Sequence, residues 1–471
     1  MRRAGSALAA MVPEAPSGSA VAGRPRLSAS YGAPTKGATS PADAEETRTR
    51  PPETALEPVD SARYDARFAS RAAGIVSSAM RDMMSLAERP EIISLATGLP
   101  DTASFPTHIY DEIMQVVSRD HLTAALQYGP TEGLMELREL CVQVMGNEGA
   151  PARVEDVMIT SGGQQAIDLS IRTFVNPGDV VLAEGPTYPG AVPCFTTYEA
   201  DVRHVPMDDD GLRIDVLEET LDALAKEKRS PKLLYTIPTF HNPAGVTMSR
   251  ERRERLIRIA HERELLIVED NPYGQIRFEG EQLPTLYELD AGAGWVIYLS
   301  TFSKLLAPGL RVGWVAAPPP VLRKMNLGKQ AADLCSSTIG QRFVVEYMRR
   351  YDYREHVTRL NDMYRRRRDA MLRALEEELP ADATWTRPNG GLFVWATLPE
   401  YFDTTDLLAS ATRREMAFVP GRAAFLDGRG QRSMRLNFSG VPEDRISEGV
   451  RRLGTAVQEM VENHEAFGGG A

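Results

Sequence analysis

One lysine of this chain follows a short apolar run at a position that suits covalent chemistry. Residues 296–299 read VIYL, which predicts a buried strand, and Lys304 comes shortly after it in STFSKLLAPGLRVGW. A lysine at the end of a strand can form a Schiff base with a carbonyl group. Thr301, Ser303 and Arg311 add two hydroxyls and a guanidinium, which are donors suited to a phosphate. An ordinary surface lysine also fits this segment alone, so the interpretation depends on the other segments.

A second apolar run ends at a carboxylate. In LLIVEDNPYG, residues 265–268 predict a strand that leads into Asp270, with Tyr273 close behind. Ligands of open α/β sheets bind at the carboxyl ends of the strands. A carboxylate beside a pyridine nitrogen keeps the ring protonated, which makes pyridoxal phosphate an electron sink for a substrate carbanion. Tyr273 would then donate its hydroxyl to the phenolate oxygen of the ring, while a helix N-cap before proline is the alternative role for Asp270.

A third predicted strand, residues 233–237, leads into the turn FHNPAG. Asn242 in this turn can donate its amide to the same phenolate oxygen, although turn formation alone would explain Asn before Pro. His241 is a less favoured general base, because Lys304 already serves once it is freed from the cofactor.

Two further segments offer an anion site and a flat side chain. TSGGQQAIDLSIRTF predicts a strand, a glycine pair and a helix, so the backbone N–H groups of Gly162, Gly163 and Gln164 can bind a phosphate. Tyr188 in AEGPTYPG follows a strand predicted at residues 180–183 and could stack on a pyridine ring. An ordinary glycine turn and a half-buried tyrosine are the alternatives.

An arginine within an apolar strand completes the set of candidates. Arg435 lies in SMRLNFSG, where burial would be costly without a partner. The carboxylate of an amino-acid substrate, held by two parallel hydrogen bonds, is the partner that this chemistry favours. A structural ion pair is the alternative.

The elements that must position these residues form an α/β pattern. Six apolar runs, at residues 156–160, 180–183, 233–237, 265–268, 296–299 and 312–315, alternate with amphipathic stretches and predict a mainly parallel sheet in a large domain over residues 122–347. A helix over 353–379 and shorter elements at 392–397 and 434–438 predict a smaller α+β domain over 348–463. Residues 61–121 are expected to contribute to the small domain and to dimer contacts. Residues 1–60, rich in Ala, Pro, Gly and Ser, predict a disordered extension, and 464–471 a flexible tail.

The composition excludes several classes of partner. A formal net charge of −11 argues against nucleic acid. No apolar run approaches the roughly 18 to 20 residues of a membrane span. Three scattered cysteines form neither a disulfide framework nor a zinc motif, which predicts a reducing, cytoplasmic compartment and no metal.

With these residues in place, the chain resembles the fold-type I pyridoxal-phosphate-dependent aminotransferases of class I and II, and within them the kynurenine/2-aminoadipate aminotransferase group. The motifs that carry the resemblance occur in the order that family shows: IISLATGLPD, LQYGPTEG, TSGGQQ, EGPTYPG, HNPAGVTMS, VEDNPYG, STFSKLLAPGLRVGW and MRLNFS.

The resemblance implies a role for each candidate. Lys304 would carry the cofactor, Asp270 would bind the ring nitrogen, Arg435 would bind the substrate carboxylate, and Gly98 would contact substrate through its backbone. The phosphate would lie among Gly163, Gln164, Thr301, Ser303, Arg311 and, from the other subunit of a homodimer, Tyr128. Two departures stand out, since many relatives have serine at the position of Gly163 and glycine at that of Thr97.

The expected reaction moves the amino group of an L-amino acid to a 2-oxo acid by a ping-pong route through pyridoxamine phosphate. Oxidase, racemase, decarboxylase and lyase activities use the same cofactor residues and remain alternatives. A more distant alternative is the effector-binding module of a transcription regulator, which would need a basic helix-turn-helix that the first 60 residues do not show.

Overall fold

The computed structural model describes residues 62–74 and 89–468. The predicted disordered extension, residues 1–60, lies outside the described residues, as does the end of the predicted tail. The described residues from Tyr64 onward belong to one compact unit. Within the described ranges, no helix combines the length and apolar character needed to span a bilayer.

The strands form three sheets. In chain order they are β1 (Ile93–Ser94), β2 (Val157–Thr160), β3 (Val180–Gly185), β4 (Asp201–Asp208), β5 (Gly211–Leu212), β6 (Pro231–Thr236), β7 (Ile267–Asp270), β8 (Val296–Thr301), β9 (Gly313–Ala316), β10 (Thr384–Trp385), β11 (Phe393–Thr397), β12 (Met416–Ala417), β13 (Val419–Pro420) and β14 (Ser433–Asn437).

The large sheet has eight strands in the order β2-β9-β8-β7-β6-β3-β4-β5. Strands β8, β7, β6, β3 and β4 pair in parallel, whereas β9 runs antiparallel to both of its neighbours. The ends of β2, β8, β7, β6 and β3 therefore lie at one edge of the sheet, and β9 begins there. This confirms the predicted α/β fold with a mainly parallel sheet, and each of the six predicted runs overlaps a strand.

Side chains of the central strands are buried on both faces, which explains their continuous apolar sequences. In β3, Val181 and Ala183 pack into one apolar cluster, and Val180 and Leu182 into another on the opposite face. Strand β4 was not predicted because it is only partly buried, and its sequence DVRHVPMD has neither a long apolar run nor a regular alternation of polar and apolar residues.

Helices cover the sheet and continue into the C-terminal part. Several begin at side-chain caps, such as Ser249 and Asp352. The helices are α1 (Ala62–Asp65), α2 (Thr107–Asp120), α3 (Leu122–Leu126), α4 (Met135–Asn147), α5 (Gly163–Phe174), α6 (Val192–Thr197), α7 (Ile214–Lys226), α8 (Arg250–Arg263), α9 (Leu286–Leu289), α10 (Pro319–Ala332), α11 (Thr338–Arg350), α12 (Tyr353–Glu378), α13 (Thr404–Arg413) and α14 (Glu443–Gly468). Short 3-10 turns cover Ser70–Gly74, Thr102–Ser104, Val154–Asp156, Pro308–Leu310 and Gly421–Ala424.

The C-terminal part contains the smaller sheets. Strands β10, β11, β14 and β13 form an antiparallel sheet, and β1 pairs in parallel with β12. Helix α12 packs against α14, which extends to Gly468, beyond the domain end predicted at residue 463. The smaller α+β part is thus present, while the domain boundaries at 121, 347 and 463 stay predictions.

Candidate active site

One cavity of about 200 Å³ lies where the ends of the parallel strands meet. Strands β7 and β8 and the turns after β2, β3 and β6 each bring a predicted site residue to this edge, and β14 adds one from the small sheet. Of the residues predicted from the sequence, those that line the cavity are Gly98, Gly163, Gln164, Tyr188, Asn242, Asp270, Tyr273, Thr301, Ser303, Lys304, Arg311 and Arg435.

Lys304 lies in the turn that follows β8. The side chains of Phe302, Leu305 and Leu306 anchor this turn in the apolar core. The Nζ atom of Lys304 donates a hydrogen bond to the carbonyl oxygen of Gly98 at 2.6 Å. Burial, together with the nearby cations, lowers the pKa of Lys304 to about 8. Near pH 7, the neutral amine is therefore a larger fraction of Lys304 than of a lysine in water. The neutral amine is the form that attacks carbonyls.

Asp270 is the last residue of β7 and is buried. Its Oδ2 atom accepts a hydrogen bond from the hydroxyl of Tyr235 at 2.7 Å. Burial raises the pKa of Asp270 to about 6, although the hydrogen bond from Tyr235 opposes the shift. A cation beside this buried carboxylate would compensate its charge and favour the ionised form. A turn rather than a helix follows Asp270, so the N-cap alternative does not apply.

Asn242, Tyr273 and Arg435 form a connected polar group on another side of the cavity. The Nδ2 atom of Asn242 donates to the hydroxyl of Tyr273 at 3.3 Å, and its Oδ1 accepts from Nη1 of Arg435 at 3.0 Å. Burial raises the pKa of Tyr273 far above its usual value, so its hydroxyl keeps its proton and can donate. The amide donor of Asn242 and the phenolic donor of Tyr273 therefore lie side by side. This arrangement is required if both donate to one acceptor oxygen.

Arg435 is a buried cation in β14. Its Nη2 donates to the carbonyl oxygen of Ala96 at 2.7 Å, and its guanidinium lies 4.4 Å from the ring centre of Phe393. Burial lowers the pKa of Arg435 to about 10, which still leaves it charged at neutral pH.

An anion cradle lies at the start of α5. Gly162 has φ +79°, and a Cβ on it would stand 2.4 Å from Nη2 of Arg311. A Cβ on Gly313 would meet the backbone of Gly162 and Gly163 at 2.7 to 2.8 Å. Glycine is therefore required at both 162 and 313 for the guanidinium and the N-terminus of α5 to approach each other. Thr301 contributes its hydroxyl, which lies 2.9 Å from that of Ser303.

Gln164 and Tyr188 meet at one wall of the cavity. The Nε2 of Gln164 donates to the carbonyl oxygen of Gly190 at 2.6 Å, so the side chain is held while its backbone N–H remains at the helix start. A Cβ on Gly190 would stand 2.3 Å from Cζ of Tyr188. Gly190 thereby allows the position of the Tyr188 ring, a requirement that the sequence alone did not reveal.

Tyr128 does not line the cavity of its own chain and is 78% exposed. It follows α3, whose Leu122 and Leu126 are also exposed, as is Met135 at the start of α4.

His241 holds the turn after β6 and does not line the cavity. Its Nδ1 accepts from the backbone N–H of Ala244 at 3.1 Å, and its Nε2 lies 3.0 Å from Oε2 of Glu184. Both residues are 1% exposed. Glu184 also accepts from Thr236 and from the backbone of Ile237, so it is a structural anchor that sequence reasoning missed.

The donor set fits pyridoxal phosphate. An amine with a lowered pKa, a buried carboxylate and an anion cradle line one cavity of suitable size, and the glycines at 162 and 313 keep the cradle free of side-chain atoms. No cluster of three or more metal-binding side chains occurs among residues 62–74 and 89–468.

Comparison with known proteins agrees with this geometry. The family model for aminotransferase class I and II matches residues 90–453. Aromatic-amino-acid aminotransferase 1 of Thermococcus litoralis is 45% identical over 84% of this chain and 95% of its own length, and 2-aminoadipate transaminase of Thermus thermophilus is 38% identical over 84% and 97%. The crystal structure of Pyrococcus horikoshii kynurenine aminotransferase, with pyridoxamine phosphate bound, superposes with a TM-score of 0.81 at 41% identity and covers 85% of this chain and 100% of that one.

The matched region contains every residue that lines the cavity. The predicted cofactor is confirmed as pyridoxal phosphate, and the predicted activity as transamination rather than its alternatives. This chain belongs to the class I and II aminotransferases.

Proposed function

We propose that this aminotransferase carries its cofactor on Lys304, binds the ring nitrogen with Asp270 and anchors the substrate carboxylate with Arg435. The observation that supports the proposal is that these three side chains, from three separate strands or their following turns, line one cavity. Their charges complement an aldehyde-bearing pyridinium and an amino-acid carboxylate.

The remaining cavity residues would hold the other parts of the cofactor. Asn242 and Tyr273 would donate to the phenolate oxygen, and Tyr188 would stack on the ring. The phosphate would be bound by Gly163, Gln164, Thr301, Ser303 and Arg311, with Tyr128 of the partner subunit.

When bound, pyridoxal phosphate supplies the electron sink that lets the Cα–H bond of the amino acid ionise. Lys304 would take the proton from Cα as a neutral amine, which its lowered pKa favours, and would deliver it to C4′, the aldehyde carbon of the cofactor. Arg435 would hold the substrate carboxylate so that the Cα–H bond faces Lys304. The same residues would serve the second half-reaction in reverse.

An amino acid added alone tests this cycle. Without a 2-oxo acid or oxygen, it should bleach the visible absorbance of the enzyme in proportion to protein, and a 2-oxo acid should restore it. Continuous ammonia release that depends on O₂, with no transfer to any 2-oxo acid, would contradict the proposal.

We further propose that the amino donor has an aromatic or long side chain. The cavity is lined by the apolar side chains of Leu99, Ile237 and Phe393, and Phe393 lies against the guanidinium of Arg435. The relatives named above act on aromatic amino acids, 2-aminoadipate and kynurenine. A panel of amino acids with 2-oxoglutarate as acceptor tests this, and a strong preference for alanine or glycine would contradict it.

A homodimer is proposed as the active form. Helix α3 and the start of α4 expose Leu122, Leu126, Tyr128 and Met135, and α3 is tied to the body by Thr338, which donates to the carbonyl oxygen of Ala125 at 2.6 Å. A group of exposed apolar side chains on a helix that is held in place suits contact with a second copy of the chain. Light scattering should give twice the chain mass, and Tyr128→Phe should weaken cofactor binding without dissociating the dimer.

A cytoplasmic location, proposed from the free cysteines, is tested by cell fractionation.

A further inference from the structure

A buried lysine outside the cavity is connected to the glycine turn at the start of α5. Lys329 in α10 has a side chain that is 0% exposed, and its Nζ lies 2.7 Å from Oδ1 of Asp333. The other carboxylate oxygen, Oδ2, accepts hydrogen bonds from Oγ of Ser161 and Nε2 of Gln165, each at 2.8 Å. A buried charge requires such a partner. Here the partner, Asp333, also binds Ser161, which is the residue just before Gly162.

Ser161 is held on three sides. Its backbone N–H donates to Oε1 of Gln165 at 2.8 Å, and its hydroxyl donates to Asp333. Its carbonyl oxygen accepts from Nη2 of Arg311 at 3.0 Å. Gly162 has φ +79° and no Cβ, so the Arg311 guanidinium can lie against this turn. Ser161 therefore acts on both the turn and the guanidinium, together with Thr160, which donates to the carbonyl oxygen of Gly162, and Pro308, which accepts from Arg311.

The charges of the network are balanced within it. Partial burial raises the pKa of Asp333, but the hydrogen bonds from Lys329, Gln165 and Ser161 outweigh it, and the pKa lies below its usual value. A carboxylate near a bound phosphate would repel it. Lys329 compensates the charge of Asp333. Ser161 therefore has its acceptor, and the pair of Lys329 and Asp333 carries no net charge.

We propose that Asp333 is a positioning residue for the phosphate: through Ser161 it fixes the turn at Gly162 and Gly163 relative to Arg311, and Lys329 neutralises it. This inference rests on the proposed role of the turn as the phosphate site. Asp333 and Lys329 do not line the cavity, so they would act only through the residues they hold.

The test compares the affinity of the full-length protein for pyridoxal phosphate with its affinity for pyridoxal, which lacks the phosphate. Ser161→Ala removes the hydroxyl and keeps the backbone bonds to Gln165 and Arg311. Ser170→Ala is the matched control, because Ser170 is a buried serine of α5 whose hydroxyl donates to the carbonyl oxygen of Ala166 within the same helix. Asp333→Asn is the second variant, and thermal unfolding checks that each protein is folded.

Ser161→Ala should weaken binding of pyridoxal phosphate roughly tenfold, the scale of one hydrogen bond to a charged group, and leave pyridoxal binding unchanged. The ³¹P resonance of the cofactor-loaded variant should also shift. Asp333→Asn should act in the same direction, and the Ser170→Ala protein should match the wild type. An equal loss for both ligands, or no loss for either, would overturn the positioning role. A wild type that binds both ligands equally would instead contradict the proposed phosphate site itself.

Discussion

The amide oxygen of Asn242 accepts a hydrogen bond from Nη1 of Arg435 at 3.0 Å, although the two residues lie 193 positions apart in the sequence. Asn242 follows β6 of the large sheet, and Arg435 belongs to β14 of the small one. The proposed carboxylate anchor is thereby oriented by a residue proposed to bind the cofactor. In their proposed roles, the two residues would couple the positions of substrate and cofactor through this contact.

Replacing Arg435 by lysine should raise the KM for amino acids about tenfold or more, although the charge is kept. The ammonium cannot bind Asn242, Ala96 and a carboxylate with the geometry of a guanidinium. Steady-state kinetics measure the effect, and Arg432→Lys, at an exposed position beside β14, is the control. If amines that lack a carboxylate are equally good substrates of the wild type, Arg435 has another role.

Replacing Lys304 by alanine should abolish turnover and leave the protein folded, because covalent attachment and proton transfer reside on this side chain. Noncovalent cofactor binding should persist through the phosphate donors. Borohydride reduction of the wild type followed by peptide mapping should place the pyridoxyl group on Lys304. A label on any other lysine would sink the assignment.

The lowered pKa of Lys304 predicts the pH dependence of cofactor attachment. Because burial and nearby cations disfavour the ammonium form, the reactive amine is populated above pH of about 8 instead of above the usual 10.5. In cofactor-free protein, the rate of combination with pyridoxal phosphate should rise with pH and level off above about 8. Arg435→Gln removes one of these cations and should move the midpoint upward. A wild-type rate that keeps rising beyond pH 9.5 would contradict the assignment.

Replacing Asp270 by alanine should lower the turnover rate by about a hundredfold or more, the scale of a lost electrostatic contact to a developing charge. Single-turnover absorbance measurements with an amino acid give this rate directly. Tyr235→Phe removes only the hydrogen bond to Asp270 and should cause a smaller loss. A near-normal rate in Asp270→Ala would show that another group protonates the ring.

The strand ends could be predicted because the strands that carry them are buried on both faces and therefore read as unbroken apolar runs. Asp270 and Lys304 follow such runs, and the topology brings strand ends to one edge. Strand β4, next to the two-residue edge strand β5, gives no such signal, since it is only partly buried.

Contacts that depend on tertiary packing could not be read from the chain. The hydrogen bond from Tyr235 to Asp270 and the contact of His241 with Glu184 each join two segments that are far apart in the sequence, and no local pattern signals them. The requirement for glycine at 190 depends on where the ring of Tyr188 lies, which the sequence does not give. In the sequence, Tyr235 cannot be told from any other residue of a buried strand. Its hydroxyl reaches Asp270 only because β6 and β7 pair.

The charges that line the cavity are opposite in sign to those of the chain as a whole. The chain has a formal net charge of −11, yet the charged lining side chains are Lys304, Arg311, Arg435 and a single acid, Asp270. In the cofactor-free protein, an anionic ligand such as the cofactor phosphate would be repelled by the distant surface and attracted near the cavity mouth, and dissolved salt screens both fields over about 10 Å at 0.1 M. Ionic strength would therefore act on cofactor capture in two opposing directions, and encounter kinetics would reflect the balance between them.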